Sequence, residues 1–283
     1  MTQALFHRYA RLKVGRSAKG VSTSLDSLNP TSYEGLRITF DIVKNTERDA
    51  NQSKISIYNL SKKSRAEMES NDLRIALEVG YIGLKFSEVP LVSQIFIGDI
   101  MLGGAKSERR GADIITTFES GDAEVAITET TVNESFAPNT SLQDVIKGIA
   151  KELPVAIGTI MPGIVGMFAN GLTVSGLAAD QLDILTKKAG LEWHINDGEL
   201  NILEPKLTTP EEPVLVSRNT GLIGTPSKKQ DGYEFESLIN PLIRPGRGIS
   251  LVSANISGLI KAVRVTYTGD THGNDWKMTV ECK

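Results

Sequence analysis

The chain has one cysteine and three histidines, and aromatic residues make up only 6% of its 283 positions. A lone thiol, Cys282, closes no disulfide within the chain, and no Cys-rich zinc spacing can be drawn. Its place in the last alternating segment suits a partly buried strand residue better than a catalytic nucleophile. A chain without disulfides fits a reducing intracellular compartment, with a disulfide-free exported protein as the alternative. His7, His194 and His272 form no zinc-protease helix motif. A phosphate-cradling Gly-Lys-Ser/Thr loop and a Gly-x-Ser-x-Gly nucleophile turn are missing too.

Excess charge is also lacking. Lys and Arg number 31 against 34 Asp and Glu, a formal net charge of −3 and a pI near 5.8. Phosphate neutralisation needs clustered cations, so overall charge does not mark a nucleic-acid-binding protein. The one long uncharged run, Pro154 to Ala179, is broken by Pro154, Pro162 and five glycines. It suits a Gly-rich loop or short apolar strands leading into a helix, and no stable membrane insertion is expected. The basic N-terminus, "MTQALFHRYARLKVGRSAKG", lacks the apolar core of a secretory signal. It is expected to be an ordered or trailing arm whose basic residues meet an acidic neighbour.

What is present is alternation. "GLRITFDIV" puts Leu36, Ile38, Phe40 and Ile42 on one face. "SKISIYNLS" does the same with Ile55 and Ile57, and "DLRIALEVGY" with Leu73, Ile75, Leu77 and Val79. "SQIFIGDIML" and "ADIITTFESGD" add two more strands. Turn signals at Asn51, Gly80, Gly83, Gly103–Gly104 and Gly111 separate these runs, and "KKSRAEMES" reads as a short polar helix. Many short strands imply a small barrel or sandwich.

The period changes after Ala123. Leu142, Val145, Ile146 and Ile149 recur at helical spacing behind a cap at Thr140 or Ser141. A second helix carries Leu182, Leu185 and Ala189, with Lys187 and Lys188 in its last turn and Gly190 as its C-terminal stop. Asp197-Gly198 predicts a tight hairpin turn that sets Trp193 and Ile195 across from Leu200 and Ile202. His194, between them, is expected on a sheet surface. The Pro-rich "EPKLTTPEEPVL" reads as a linker or edge. Strands return around Leu251, Ile260–Tyr267 and Trp276–Cys282.

Candidate chemistry is sparse. Asp270, His272 and Asp275 in "GDTHGNDW" could hold a metal or exchange protons, but a polar tight turn uses the same residues. Glu234 and Glu236 share one strand face, as on a solvated edge. We therefore expect no catalytic residue, no cofactor and no bound metal.

The C-terminal segments "DGYEFESLINPLIRPGRGISL" and "SGLIKAVRVTYTGDTHGNDWKMTVEC" resemble the hub proteins of phage tail baseplates and related contractile injection machines. "SKISIYNLS", "IFIGDI", "RRGADIITTFESGD" and "AADQLDILTKKAGLEWHINDGELNIL" resemble them in the same order, so the likeness touches most of residues 35–283. It implies a mainly β fold in which two small β-barrel domains flank a helix-plus-hairpin α+β domain. The boundaries expected are 1–33 for the basic arm, 34–122 for the first barrel, 123–208 for the α+β domain and 209–283 for the second barrel. It also implies a homotrimer. Six barrels would then meet a sixfold tail tube protein on one side and a threefold central spike protein on the other. Baseplate wedge or other tail proteins would be further partners. DNA would pass through the channel into the host without specific binding, in a virion tail assembled in the host cytoplasm. A tail-associated cell-wall hydrolase, a needle-base or spike-type secretion protein and a tail-tube or tube-terminator protein are the alternatives. Pro245-Gly246 suits a type II corner. Arg244 and Arg247 beside it either reach a neighbouring subunit or form a solvated loop. With His272 and Asp275 they are the candidate interface residues.

Overall fold

The alternating segments become strands of one large sheet in the computed structural model, which describes residues 7–16, 25, 29–68, 73–82 and 91–283. The first β region comprises β1 (Arg8–Arg16), β2 (Thr31–Tyr33), β3 (Ile38–Asn45), β4 (Asn51–Tyr58), helix α1 (Lys62–Met68), β5 (Leu73–Tyr81), β6 (Leu91–Arg110) and β7 (Asp113–Asp122). An α+β module follows: α2 (Glu124–Thr128), β8 (Thr131–Phe136), β9 (Thr140–Ser141), α3 (Leu142–Glu152), β10 (Ala156–Ile160), β11 (Met167–Phe168), β12 (Leu172–Leu177), α4 (Ala178–Lys188), β13 (Glu192–Asn196) and β14 (Glu199–Leu203). The last region holds β15 (Val214–Ser217), β16 (Leu222–Lys229), β17 (Gly232–Leu238), β18 (Gly248–Val252), β19 (Ser257–Asp270) and β20 (Trp276–Cys282).

Among the described residues, no ladder closes either β region into a barrel. Strand order runs β16-β17-β20-β19-β3-β4-β7-β6-β5-β1-β2, and its ends do not pair. β15 and β18 branch from β19, and β15 pairs β18 in parallel. The join is the antiparallel β19–β3 ladder, from Arg264 opposite Asn45 to Asp270 opposite Thr39. It matches the inward phases of the two strands: Val265, Tyr267 and Gly269 on β19, and Phe40 and Ile42 on β3. The two regions therefore share one apolar core, which includes Phe40, Phe118, Phe235, Tyr267, Trp276 and Met278.

Residues 8–16 of the basic arm are part of this sheet. β1 pairs β5 from Arg8 opposite Tyr81 to Arg16 opposite Leu73, and Ala10, Leu12 and Val14 are buried. The acidic neighbours lie in the same chain: Lys13 reaches Glu78 at 2.7 Å, and Arg11 reaches Glu34 at 3.4 Å. β5 is buried on both faces, because Leu25 and Ile97 cover Ala76 on the side away from the main core.

Three expected turn signals have other roles. Gly103–Gly104 is a bulge within β6, where the register with β7 shifts between Ile100 and Ala105. A side chain at Gly104 would stand 2.5 Å from the Glu119 carbonyl oxygen, so the strand needs glycine there. Gly80 lies inside β5, and Asn51 opens β4 with its side chain buried. Gly111 does turn the β6–β7 hairpin, whereas Gly83 lies outside the described residues.

The α+β module has its own core. Leu142, Val145, Ile146 and Ile149 of α3 pack with Leu182 and Leu185 of α4 and with the β13–β14 hairpin. Ser141 caps α3, its Oγ accepting from the Asp144 N–H at 3.1 Å. Gly190, at φ +69°, ends α4. Asp197 and Gly198 both take positive φ, as a two-residue hairpin turn demands, and place Trp193 opposite Ile202 and Ile195 opposite Leu200. The uncharged run supplies β10, β11 and β12 before α4. No helix among the described residues is long and apolar enough to cross a membrane.

Candidate functional site

Three neighbouring strands of the sheet turn polar at the same end. Across β3, β4 and β7 the inward rows read Phe40–Ile55–Phe118, then Ile42–Ser53–Ser120. The serine hydroxyls of the second row bond each other at 2.6 Å. Beyond them the inward phase continues with Lys44, Asn51 and Asp122, all about 1% exposed. Bare, such a row would be costly, because a buried charge must be paired and hydrogen-bonded.

The α+β module provides the partners. The Asp122 carboxylate accepts the backbone N–H of Asp197 at 2.6 Å and that of Gly198 at 3.2 Å. Lys44 Nζ donates to Asp197 Oδ2 at 2.5 Å and to the Ile95 carbonyl at 3.2 Å. Asn51 Nδ2 donates to Asn196 Oδ1 at 2.8 Å and to the Ile195 carbonyl at 3.0 Å. The tip of the β13–β14 hairpin is thus seated on the polar end of the sheet. Burial, and then the Asp197 charge, push the Asp122 carboxyl up to about 7, against the opposing pull of Lys44 and of the bonds from Asp197 and Asn51. Lys261 makes a second tie, binding Glu192 of β13 and donating to the Pro205 carbonyl at 3.1 Å.

His194 is buried, not on an open sheet surface. The "PG" corner covers it: a side chain at Gly246 would stand 3.4 Å from its ring. Burial, then the charges of Lys261 and Lys44, lower its pKa to about 4, so the ring is neutral near pH 7. Among the described residues, neither ring nitrogen has a hydrogen-bond partner.

The corner itself is a type II turn. The Arg247 N–H donates to the Arg244 carbonyl at 3.1 Å, and Gly246 takes φ +85°. Arg244 and Arg247 converge on one carboxylate, Glu211 of the Pro-rich segment. Arg244 Nη2 lies 2.6 Å from Oε1, Arg247 holds Oε2, and Arg247 also donates to the Glu212 carbonyl at 2.9 Å. Burial alone would raise Glu211, but the bonds and charges of the two arginines hold it below the usual carboxylate range. The arginines line a cleft of ≈ 110 Å³ with Lys44, Gln94, Asp197 and Tyr267. The Tyr267 hydroxyl donates to the Ile243 carbonyl.

His272 and Asp275 lie at the other end of β19. Asp270 pairs Arg37 at 2.7 Å and accepts the His272 N–H at 2.9 Å, while its own N–H donates to the Asp275 carbonyl. Thr271 Oγ1 and His272 Nδ1 lie 2.9 Å apart, and Arg8 donates to the Gly273 carbonyl at 2.8 Å. Five residue steps along β3 take the chain from Thr39, beside this loop, to Lys44, about 17 Å at a strand's rise. The structure joins Arg244 to Arg247 and keeps His272 and Asp275 in a separate loop. Among the described residues, no three or more of His, Cys, Asp and Glu are grouped to hold a metal ion.

Sequence reasoning missed Lys44, Asn51 and Asp122, although a signal was present. Each is a polar residue that continues the inward-facing phase of its strand.

A family model described as baseplate hub gp41 matches residues 20–259. No curated protein is significantly similar in sequence. The fold is similar to the 43 kDa tail protein of prophage MuSo2 from Shewanella oneidensis, with TM-score 0.64 and 8% identity over 97% of this chain and 98% of that one. It is also similar to the tail protein from Neisseria meningitidis MC58, with TM-score 0.62 and 10% identity over 97% and 96% of the two chains. An Escherichia coli component of the type VI secretion system, described as similar in structure to the T4 bacteriophage tail proteins gp27 and gp5, matches with TM-score 0.58 and 10% identity over 87% and 73%.

Proposed function

The chain belongs to the baseplate hub gp41 family, and from that premise we propose that it is a homotrimeric structural hub joining the tail tube to the central spike. The observation that carries this reading is the family match over residues 20–259, together with a fold that follows phage tail proteins almost from end to end. Each subunit offers two sets of strands, one on either side of the β19–β3 ladder. In the proposed ring these sets act as two lobes per subunit, six in all, so that a threefold assembly meets a sixfold tube. In this reading the shared sheet and core serve to couple the two lobes of each subunit mechanically.

In this reading the hub performs no reaction. DNA passes through its channel toward the host in a virion tail assembled in the host cytoplasm, and wedge or other tail proteins surround it. Buried, neutral His194 is poorly placed for proton transfer to an outside substrate. Arg244, Arg247, His272 and Asp275 are proposed contacts between subunits or with tail partners. The arginines would meet them as a pre-formed clamp on Glu211.

The test is the native mass of the full chain by light scattering. A species near three times 30.7 kDa is expected. A hexamer would favour a tube or terminator protein, and a persistent monomer at micromolar concentration would overturn the trimer.

A further inference from the structure

We propose that the seat of the Asp197–Gly198 turn on Asp122 is a proton-dependent latch between the α+β module and the large sheet. The geometry sets its terms. Two carboxylates, Asp122 from β7 and Asp197 from the hairpin tip, face one cation, Lys44 of β3, and Lys44 and Asp122 are shut from water. With both acids ionised the pocket holds one unbalanced negative charge. A proton on Asp122 restores balance. It also brings an O–H donor to a turn in which the buried Asp197 Oδ1 has no partner among the described residues.

Other facing groups act less directly on Asp122. From β4, Asn51 is a neutral donor. From β13, His194 is held neutral. On the cleft side lie Arg244, Arg247 and Glu211, together one net positive charge; both arginines are bonded to Glu211, and the charges that act most on Asp122 are those of Asp197 and Lys44. Tyr267 of β19 stays protonated, because burial and the Asp197 charge raise its pKa.

The sign follows. Burial raises the Asp122 carboxyl from an ordinary value near 3.8 to about 7. The docked form therefore binds a proton more tightly than an opened form whose acid meets water. Docking strengthens as pH falls toward the ordinary value and weakens as pH rises through about 7.

The measurement is hydrogen–deuterium exchange of residues 192–203 in the full-length chain, from pH 5.5 to 8.5, corrected for intrinsic exchange. Opening of this hairpin should become more frequent by up to about tenfold per pH unit toward pH 7, then level off. In Asp122→Asn, whose amide keeps an acceptor and adds a donor, the hairpin should stay as protected at pH 8.5 as the parent is at pH 5.5. Should that variant misfold, Asp197→Asn removes the second cause of the shift and must move the same profile to lower pH. A flat parent profile, or a folded variant that keeps the parent's pH response, overturns the latch.

Discussion

Phe40 occupies the space that a side chain at Gly269 would need. A Cβ on Gly269 would stand 2.2 Å from the Phe40 ring, directly across the ladder that joins the two β regions. The ring cannot retreat easily, because it meets Trp276 edge-on with centroids 5.5 Å apart. Gly269→Ala should therefore cost about 1–3 kcal/mol, the usual range for overpacking. The midpoint of urea unfolding reads this, and an unchanged midpoint would refute it.

The two arginines on Glu211 should differ in weight. The Arg244 side chain is 41% exposed and that of Arg247 only 13%. Arg244→Ala should cost less than about 1 kcal/mol, as exposed ion pairs do. Arg247→Ala also removes the bond to the Glu212 carbonyl, and should cost about 1–3 kcal/mol. Equal losses from the two would contradict the geometry.

His194 makes folding sensitive to acid. Its folded pKa, about 4, lies below the ordinary 6.5, so the unfolded chain binds the proton first. Its contribution to stability is complete above pH 6.5 and is lost as pH falls toward 4. Referred to pH 7, His194→Leu should lose less stability than its parent on acidification through that window, and should cost little at pH 7, because the ring nitrogens have no partners to lose. Chemical denaturation at pH 4.5, 5.5 and 7 compares the two; a variant as acid-sensitive as its parent would rule out this role.

Cys282 should be inert in the folded chain. It is buried in β20, where burial, and then the Glu281 charge, push its thiol up to about 12. A thiol-specific disulfide reagent at pH 8 should label it only after unfolding by denaturant. Rapid labelling of the native protein would show that β20 opens.

The sequence by itself determined the local elements of this protein. Alternation marked β3, β4 and β5, and apolar residues at helical spacing marked α3 and α4. Asp197-Gly198 marked the hairpin turn, and Pro245-Gly246 the type II corner. Each of these follows from periodicities and backbone preferences that a few adjacent residues hold on their own. Order and spacing of the segments also carried the resemblance to baseplate hubs.

Only the tertiary structure decided how the strands share edges. The pairing of β19 with β3 links residues more than two hundred positions apart, and nothing local to either strand names its neighbour. The same holds for the seat at Lys44, Asn51 and Asp122. As single letters they are polar interruptions in three strands. They form one site because register aligns the three strands and a hairpin tip from another module supplies the partners that make their burial tolerable.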